Sequence, residues 1–494
     1  QTDFLYEAGA GFPTYAADLP LLFCPVGLYC FGSDGRDGFP VETLPRIAAQ
    51  ETIMPASTHE FKLIKAGRLI DSKGGPPIQD GAVLVQDSQI VTVGRASDVA
   101  APGGAQVETY EYPDKTVMPG MVDCHTHHNG FGDGRAGDDL ATLPDEILVL
   151  KSARNARTSL LTGVTTFREN GPKNVTMLRL RDAIRDGREI GPRMVLCGRP
   201  VAIIGGHMDY MGSPATGPVA GRAMVRQLVK EGADYIKITA TGGSTRTSFP
   251  MLPSFNVDEL SAIVDESHKF GKLTATHCTS TQGIINSLDA GVDMIIHCFF
   301  KEADGTLNFR GELAERIGQQ EAFINPTMHV TRAGIWALQH KKEAVGLTPE
   351  EQIRLDSGLK EFEVRLEHLS RLMTMGLNII TGSDSSWVDY QLGNTVYETE
   401  CLVMAGFSPM EGIRSVTSNA AKSLGIDEIT GTLEPQKEAD IIVIDGNPAE
   451  KIEDLWCVEE VFLGGNKVDR GPADFLAAIR QHPPKSRPEI APVQ

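Results

Sequence analysis

The sequence contains no long apolar run. No stretch approaches the roughly 20 consecutive apolar residues that a membrane-spanning helix needs, so we do not expect a membrane protein. The first residues include Asp3 and Glu7 and no basic cluster, a pattern unlike that of a secretory signal. Eight cysteines are scattered over 494 residues, which favours buried free thiols and a cytoplasmic location, while a pairing of Cys24 with Cys30 stays open.

Basic residues are scarce relative to acidic ones. The 46 lysines and arginines against 65 aspartates and glutamates give a formal net charge of −19, which repels phosphate backbones and argues against a nucleic-acid partner. Three common catalytic signatures are also missing, namely the GxSxG elbow, the GxxxxGK[ST] phosphate loop and the HExxH helix. We expect a small-molecule substrate, neither nucleic acid nor membrane as a partner, and a homo-oligomer.

The chain of 494 residues is too long to form a single small hydrophobic core, so we expect one large domain and one accessory domain. Residues 1–57 are rich in glycine, proline and aromatic residues without a steady period, which predicts an irregular N-terminal extension. Short alternating segments separated by Gly, Pro and Asp fill 58–118 and return in 429–475. These two flanking segments are predicted to form one small composite β-domain, a β-sandwich.

Residues 119–428 have a different pattern, in which short apolar runs alternate with helix-like amphipathic stretches such as 257–271 and 350–376. Eight runs are candidate strands: MPGMVDCH, GVTTFREN (163–170), RMVLCGRPVAI (193–203), DYIKITATGG (234–243), KLTATHC (272–278), MIIHCFF (294–300), AFINPTMH (322–329) and LNIITGSDSS (377–386). Alternating β and α elements of this number predict an α/β fold, a (β/α)8 TIM barrel.

Ionisable side chains lie at the ends of several of these runs. They are His125, His127, Lys237, His277, His297 and Asp384. In a barrel the C-terminal ends of the strands converge on one mouth, where active sites are built. His125 and His127 are two residues apart on a strand and therefore face the same side. Four imidazoles and a carboxylate form a nitrogen-and-oxygen cage suited to zinc or a similar divalent ion.

Each histidine also has a simpler interpretation, because a single strand histidine is more often a satisfied core residue than a metal ligand. Here the candidates recur in the same register on separate strands, which favours the metal interpretation. His128 follows His127 directly, so it is predicted to face the opposite side and is left out of the set.

Lys237 has two interpretations. A buried ammonium among imidazoles and metal ions is costly. The side chain either extends to the rim or pairs with an acid such as Asp234 or Glu169, or its amine has reacted with carbon dioxide. The resulting carbamate is an anionic bridge with two oxygens that suits a pair of metal ions.

With these motifs in place, the sequence resembles the amidohydrolase superfamily of metal-dependent hydrolases over about residues 60–470. The resemblance rests on VMPGMVDCHTH, the lysine of DYIKITATGG, His277, His297, TGSDSS and the C-terminal TSNAAKSLGI…GTLEPQKEADIIVIDGNP. It implies two divalent ions, zinc in the first place, with cobalt or manganese as alternatives. His125 and His127 would bind the more buried ion, and His277 and His297 the more exposed one.

The resemblance also implies the remaining roles. Carboxylated Lys237 would bridge the two ions, and Asp384 would ligate the buried ion. A metal-activated hydroxide would attack the substrate carbonyl, while Asp384 accepts the proton and then delivers it to the leaving nitrogen. The chain departs from its relatives at Glu169, where they often have Asp, and in the extension 1–57, which has no recognised counterpart.

Within the superfamily, the chain is similar to the branch of imidazolonepropionase-related hydrolases, Xaa-Pro and Xaa-Arg dipeptidases, ochratoxinase-type amidases, and phenylurea and molinate hydrolases. This implies hydrolysis of a C–N bond of the amide or peptide type, with a urea or carbamate as the alternative. A mononuclear deaminase is disfavoured because Ser280, not a glutamate, lies three residues after His277. A non-catalytic scaffold is disfavoured because every expected ligand is present.

Candidate substrate contacts lie near the predicted strand ends. They are His207, His329, Arg168, Arg246 and Trp387. An arginine among them would hold a substrate carboxylate or, equally, pair with a neighbouring acid. An apolar pocket with Phe299, Phe300, Trp336 and Trp387 near the mouth would favour the urea or carbamate alternative.

Overall fold

The computed structural model describes residues 60–387, 389–471, 477, 480 and 482–485. The predicted extension 1–57, with Cys24 and Cys30, lies outside the described residues. In the described part, strands come first, strands and helices then alternate, and strands return at the end. The domain boundaries drawn from the sequence stay predictions.

The described residues contain fourteen strands and eleven α-helices, joined by loops and short 3-10 helices. The strands are β1 (Phe61–Leu69), β2 (Ile78–Gln86), β3 (Gln89–Arg95), β4 (Val107–Pro119), β5 (Met121–Thr126), β6 (Val164–Glu169), β7 (Arg193–Leu196), β8 (Ile236–Ile238), β9 (Thr274–Ser280), β10 (Met294–Lys301), β11 (Phe323–Asn325), β12 (Ile441–Ile444), β13 (Val458–Leu463) and β14 (Asn466–Lys467). The helices are α1 (Asp145–Leu161), α2 (Thr176–Arg185), α3 (Pro218–Glu231), α4 (Val257–Lys269), α5 (Thr281–Ala290), α6 (Gly311–Gln319), α7 (Met328–Ala344), α8 (Pro349–Thr374), α9 (Val396–Met404), α10 (Pro409–Ser415) and α11 (Ser418–Ser423).

Strands from both ends of the described chain form one seven-stranded sheet, in the order β14-β13-β12-β4-β1-β2-β3. β4 pairs in parallel with β1 and antiparallel with β12, so the two flanking segments meet at β4. The predicted β-sandwich needs two facing sheets, and this single sheet does not confirm it. The sequence pattern does not distinguish the two, because any sheet with one buried face shows the same alternation.

The middle of the chain forms two parallel sheets, β5-β6-β7 and β11-β10-β9-β8. Isolated parallel bridges link Val201 to Ile238 beside β8, Ile324 of β11 to Ile379, and Thr126 of β5 to Ser385. The result is a TIM-barrel-like α/β fold, but one continuous closed barrel of eight strands is not found in the described residues. The eighth predicted strand, 377–386, makes bridges only.

Segment 377–386 nevertheless runs beside β5. The backbone N–H of Cys124 donates to Thr381 O at 3.2 Å, that of Asp384 donates to His125 O at 2.7 Å, and that of His127 donates to Ser385 O at 2.5 Å. These bonds fix Asp384 next to His125 and His127, at the end of β5, without a regular strand.

Helices cover the outside of the parallel sheets, and their ends follow local rules. At α4 and α8, Asn256 and Thr348 accept from the backbone of the residue three positions later, and the glutamate there bonds back, which is a capping box. A large apolar core packs α3 to α9 against β8 to β11. Among the described helices, none has both the length and the apolar character needed to cross a bilayer.

Candidate metal centre

His125, His127 and Asp384 bring three buried donor atoms together. The two Nε2 atoms are 3.1 Å apart, and Asp384 Oδ1 lies 3.3 Å from His125 Nε2 and 3.1 Å from His127 Nε2. Their possible ligand atoms all lie within 4.8 Å of one another. His125 lies in β5, His127 follows its last residue, and Asp384 comes from the segment that runs beside it.

His277 and His297 form a second pair. His277 Nδ1 lies 2.8 Å from His297 Nε2, and the rings meet edge to face with centroids 4.4 Å apart. The two pairs are adjacent, since the rings of His125 and His297 are 5.7 Å apart and His297 Nδ1 lies 3.9 Å from Asp384 Oδ2. All four predicted histidines and Asp384 therefore lie in one cluster.

Hydrogen bonds on the outer side of the rings indicate which nitrogens carry protons. The amide of Asn325 donates from Nδ2 to Gly382 O at 3.0 Å, so its Oδ1 faces His125 Nδ1 at 3.0 Å and must accept from it. His277 Nε2 lies 3.0 Å from the carbonyl oxygen of Gly242, which can only accept. The inner nitrogens, His125 Nε2 and His277 Nδ1, are then free of protons and able to bind a cation.

Burial keeps these rings neutral. It lowers the pKa of His127 to about 3, and it lowers the pKa of His125 and His297 well below the usual range, with the charge of Lys237 adding to the effect. Burial, followed by the neighbouring histidines, lowers the pKa of His277 in the same direction. Neutral imidazoles are the form that binds metal ions.

Lys237 is 1% exposed and does not extend to the rim. Its Nζ lies 3.5 Å from Asn170 Oδ1, while Asp234 pairs with Arg181 and Glu169 bonds to His128, so neither acid named from the sequence neutralises it. Burial lowers the pKa of Lys237 to about 7, although the charge of Asp384 opposes the shift. Burial therefore favours the neutral form of the amine.

Three residues at the cluster adopt left-handed backbone conformations. The φ angles are +70° at His297, +48° at Thr327 and +58° at Asp384. For residues other than glycine such conformations cost about 1–3 kcal/mol each and persist only where surrounding contacts hold them. The site is therefore a place where the fold maintains unfavourable geometry.

His128 lies away from the cluster. Glu169 Oε2 accepts from the backbone N–H of His128 and from its Nδ1, both at 2.8 Å, and the His128 ring stacks on Phe167 with centroids 3.8 Å apart. Both members of the pair are fully buried. The contacts of His128 are those of a satisfied core residue.

Two of the candidate substrate contacts adjoin the cluster. The His207 ring lies 4.5 Å from the His277 ring, and its Nδ1 lies 3.0 Å from the hydroxyl of Thr245. The Trp387 ring lies 4.7 Å from the His127 ring. His207 therefore borders the pair formed by His277 and His297, and Trp387 borders the pair formed by His125 and His127.

The other three candidates are engaged elsewhere. Arg168 is buried, where its Nε donates to Cys124 O at 2.8 Å. His329 packs among Trp336, Tyr390 and Tyr397. Arg246 is mostly exposed and lies 3.9 Å from Asp139.

Several residues that support the cluster are missed by the sequence analysis. Asp123 Oδ1 accepts from the backbone N–H groups of His125 and Ser383 at 3.1 and 2.9 Å, which ties β5 to the segment of Asp384. Asn325 and Thr327 contact the outer nitrogens of His125 and His297. Asp123 precedes the HTH motif by two residues, which was an available signal; Asn325 and Thr327 offered none beyond their place after a strand.

The donor set fits a divalent metal centre. Neutral imidazole nitrogens converge in pairs at 3.1 and 2.8 Å, a buried carboxylate joins the first pair, and outer hydrogen bonds orient the rings. The fold and this donor set together define a TIM-barrel-like protein with a possible metal site at the ends of its parallel strands.

Comparison with known proteins identifies the family. The Amidohydrolase family model matches residues 116–468, and the chain therefore belongs to the amidohydrolase family. It is accordingly an enzyme of the hydrolase class that acts on carbon–nitrogen bonds. The family resemblance drawn from the sequence is confirmed.

Individual relatives cover nearly all of the described chain. Ochratoxinase of Aspergillus niger is 27% identical over 460 residues, which span 84% of this chain and 88% of that protein. Among solved structures, a putative prolidase from Bifidobacterium longum is 28% identical with a TM-score of 0.69, covering 85% of this chain and 98% of the other. A Xaa-Pro dipeptidase with bound methionine is 26% identical with a TM-score of 0.70, covering 83% and 100%. These proteins belong to the branch that the sequence resembles.

Proposed function

We propose that this protein hydrolyses an amide or peptide-like C–N bond of a small molecule at a centre of two divalent metal ions. The convergence of His125 Nε2, His127 Nε2 and Asp384 Oδ1 carries the proposal, because two buried imidazole nitrogens and a carboxylate oxygen at one point are a donor set that binds divalent cations. The names of the relatives, ochratoxinase and two prolidase-type dipeptidases, support the amide or peptide class.

Six residues would hold the ions. They are His125, His127, Asp384, His277, His297 and carboxylated Lys237. The geometry supports one ion at the first pair with Asp384 and one at the second pair, with zinc as the first choice for nitrogen-rich sites. When bound, such ions polarise a carbonyl and lower the pKa of water towards 7.

Asp384 would move the proton during the reaction. Burial raises the pKa of Asp384 to about 7, and the Lys237 charge opposes this shift. A carboxylate at this position would accept a proton from the attacking water and release it to the leaving nitrogen. The strained backbone at Asp384 is consistent with this role, since it places the carboxylate next to both His125 and His127.

Lys237 would bridge the ions as a carbamate. The neutral amine attacks carbon dioxide, an N–C bond forms, and one proton is lost to solvent. The nearby Asn170 side chain is uncharged, so the metal ions, rather than a protein cation, would neutralise the anionic carbamate. The buried position of Lys237, with neutral Asn170 as its described hydrogen-bond partner, supports this interpretation.

Substrate would lie between the walls formed by His207 and Trp387. Trp387 packs with an apolar cluster that includes Leu140, Met208 and Met211, which suits an apolar acyl or aromatic group. Phe300 and Trp336 are buried in other contacts, so the apolar wall is smaller than the sequence suggested. A urea or carbamate substrate remains the second candidate, favoured by Trp387 beside His127.

A metal and substrate screen tests the proposal. The purified protein is analysed for metal content and then assayed with N-acyl amino acids, dipeptides, phenylureas and carbamates, with Asp384→Asn as the inactive control. We expect two divalent ions per chain and turnover of an amide or dipeptide. Turnover of phenylureas or carbamates alone would replace the substrate class, and a protein that binds no divalent ion would reject the metal centre.

A further inference from the structure

The three residues from Asn325 to Thr327 reach both halves of the cluster. Asn325 Oδ1 contacts His125 Nδ1 at 3.0 Å, and Thr327 Oγ1 contacts His297 Nδ1 at 2.7 Å. Both side chains are completely buried. One short segment at the end of β11 therefore contacts the outer nitrogen of one histidine in each pair.

Arg365, on α8, holds this segment from behind. Its Nη2 donates to Pro326 O at 2.8 Å and lies 3.4 Å from Thr327 O, and its Nη1 donates to the hydroxyl of Thr331. These bonds fix the carbonyls on either side of the Thr327 backbone, whose φ of +48° needs external support.

Arg365 also holds the other neighbour of His297. Its guanidinium lies over the Phe299 ring, 3.6 Å from the centroid, and the Phe299 ring meets the His297 ring edge to face at 5.4 Å. The side chain of Arg365 is only 3% exposed. Burial of an arginine costs free energy, and its contacts here are carbonyls, a hydroxyl and a ring on both sides of one histidine.

The hydroxyl of Thr327 suits a histidine that changes its proton position. When Nε2 of His297 binds a cation, Nδ1 must carry the proton, and Thr327 Oγ1 then accepts from it. A hydroxyl both donates and accepts, so the same contact serves His297 with or without an ion. An apolar side chain of the same shape would leave Nδ1–H without an acceptor in a buried site.

We propose that Thr327 and Arg365 are positioning residues for His297, and that they set the affinity of the half of the centre formed by His277 and His297. The Thr327 hydroxyl supplies the acceptor that Nδ1 of His297 needs when Nε2 binds a cation, and Arg365 keeps Thr327 and Phe299 in place around the ring. Asn325 does the same for His125 in the other half. This inference rests on the metal centre proposed above.

Matched variants separate these roles. Thr327→Val removes the hydroxyl and keeps the shape, Thr327→Ser keeps the hydroxyl, and Arg365→Met removes the guanidinium. Arg371→Met is the control, because Arg371 stacks on Phe309 from the same helix at 3.7 Å and lies on its exposed side. Each protein is loaded with zinc or cobalt and titrated with a chelator, and the metal retained and the visible spectrum of the cobalt form are measured.

Loss of an outer partner of a metal-binding histidine weakens metal affinity by about 10–100-fold. We expect Thr327→Val and Arg365→Met to release one of the two ions about 10–100-fold more easily, with a changed cobalt spectrum, and the other ion to stay bound. Thr327→Ser and Arg371→Met should behave as the wild type. The double variant Thr327→Val/Arg365→Met should release the ion only slightly more easily than the more strongly affected single variant, because both substitutions act through His297.

The outcomes distinguish this inference from the proposed function. Two ions in the wild type, with unchanged release of both from Thr327→Val, would overturn the inference and leave the metal centre intact. This holds even if Arg365→Met fails to fold, because Thr327→Val tests the hydroxyl alone. A wild type that binds no ion would reject the proposed centre and the inference with it.

Discussion

Glu169 bonds twice to His128, through the backbone N–H and through Nδ1, and both side chains are fully buried. The third histidine of the HTHH motif is thereby satisfied by a core carboxylate one strand away. Of three adjacent histidines, two face the cluster and one faces the protein interior.

Removal of this carboxylate should destabilise the protein without removing metal. Breaking a buried hydrogen-bonded pair by deleting one partner costs about 3–5 kcal/mol. Glu169→Ala should therefore lower the thermal midpoint strongly, measured by circular dichroism, whereas the exposed Glu146→Ala should not. Metal content of His128→Gln should equal that of the wild type, and a loss as large as that of His127→Gln would make His128 a ligand.

Asp384→Asn should abolish turnover and keep the fold. The amide keeps the shape of the side chain but cannot move the proton, and such general acid–base groups contribute about 10²–10⁴-fold. The measurement is kcat on the best substrate of the screen, together with metal content. Asp389→Asn, five residues later and exposed, is the control. Turnover of Asp384→Asn within a few-fold of the wild type would remove Asp384 from the mechanism.

Lys237 should take up carbon dioxide in a pH-dependent manner. Burial lowers its pKa to about 7, so the neutral amine becomes the main form as pH rises through 7. Enzyme loaded with zinc in the presence of ¹³C-bicarbonate should show a carbamate signal by NMR that is larger after loading at pH 8 than at pH 6. Lys237→Met should lose this signal, whereas Lys301→Met, which removes the ion pair with Glu361, should keep it. An identical signal in Lys237→Met would place the carbamate elsewhere.

Glu398 should make stability depend on pH. It is fully buried and accepts from the backbone N–H groups of Met328 and His329 at the start of α7. Burial raises its pKa to about 7 from an ordinary value of 4.5. Between pH 4.5 and 7, the Glu398 carboxyl is protonated in the folded state and ionised in the unfolded state. The stability that Glu398 contributes at low pH is therefore lost as the pH rises from 4.5 through 7.

Glu398→Gln is neutral at every pH and should not show this loss. From pH 5 to pH 7.5, the unfolding free energy of Glu398→Gln should increase relative to that of the wild type by about 2 kcal/mol. The measurement is the thermal midpoint of both proteins at the two pH values. Glu363→Gln, on the exposed face of α8, serves as the control. A difference between Glu398→Gln and wild type that is the same at both pH values would contradict the pKa shift.

Much of the cluster could be predicted because parallel strands place their carboxyl ends at one edge. Lys237, His277 and His297 lie on neighbouring strands of one sheet, so position along the sequence implied position in space. Asp384 followed from the same rule even though its segment forms only bridges. The number of paired residues in a short segment depends on its neighbours and cannot be read from the segment itself.

The supporting residues could not be predicted for a related reason. Arg365 lies in the middle of a helix whose sequence shows only an amphipathic face, and its contact with Thr327 depends on how α8 packs. Arg168 shows the same dependence on packing, since the sequence left open whether this strand-end arginine meets substrate or a neighbouring group, and the structure shows it bonded to Cys124 O. The pattern gives the direction of a side chain along a strand, not the partner that it meets.

The pairing of β4 with β12 has a consequence for synthesis on the ribosome. β4 pairs with β1 as soon as both are made, but its other edge waits for β12, which is translated only after the whole α/β region. Until then the end of β4 that leads into β5 has an open edge, and open edges invite pairing with other chains. The last strands to leave the ribosome therefore cover the open edge of β4. We expect newly made chains that stop short of residue 441 to aggregate.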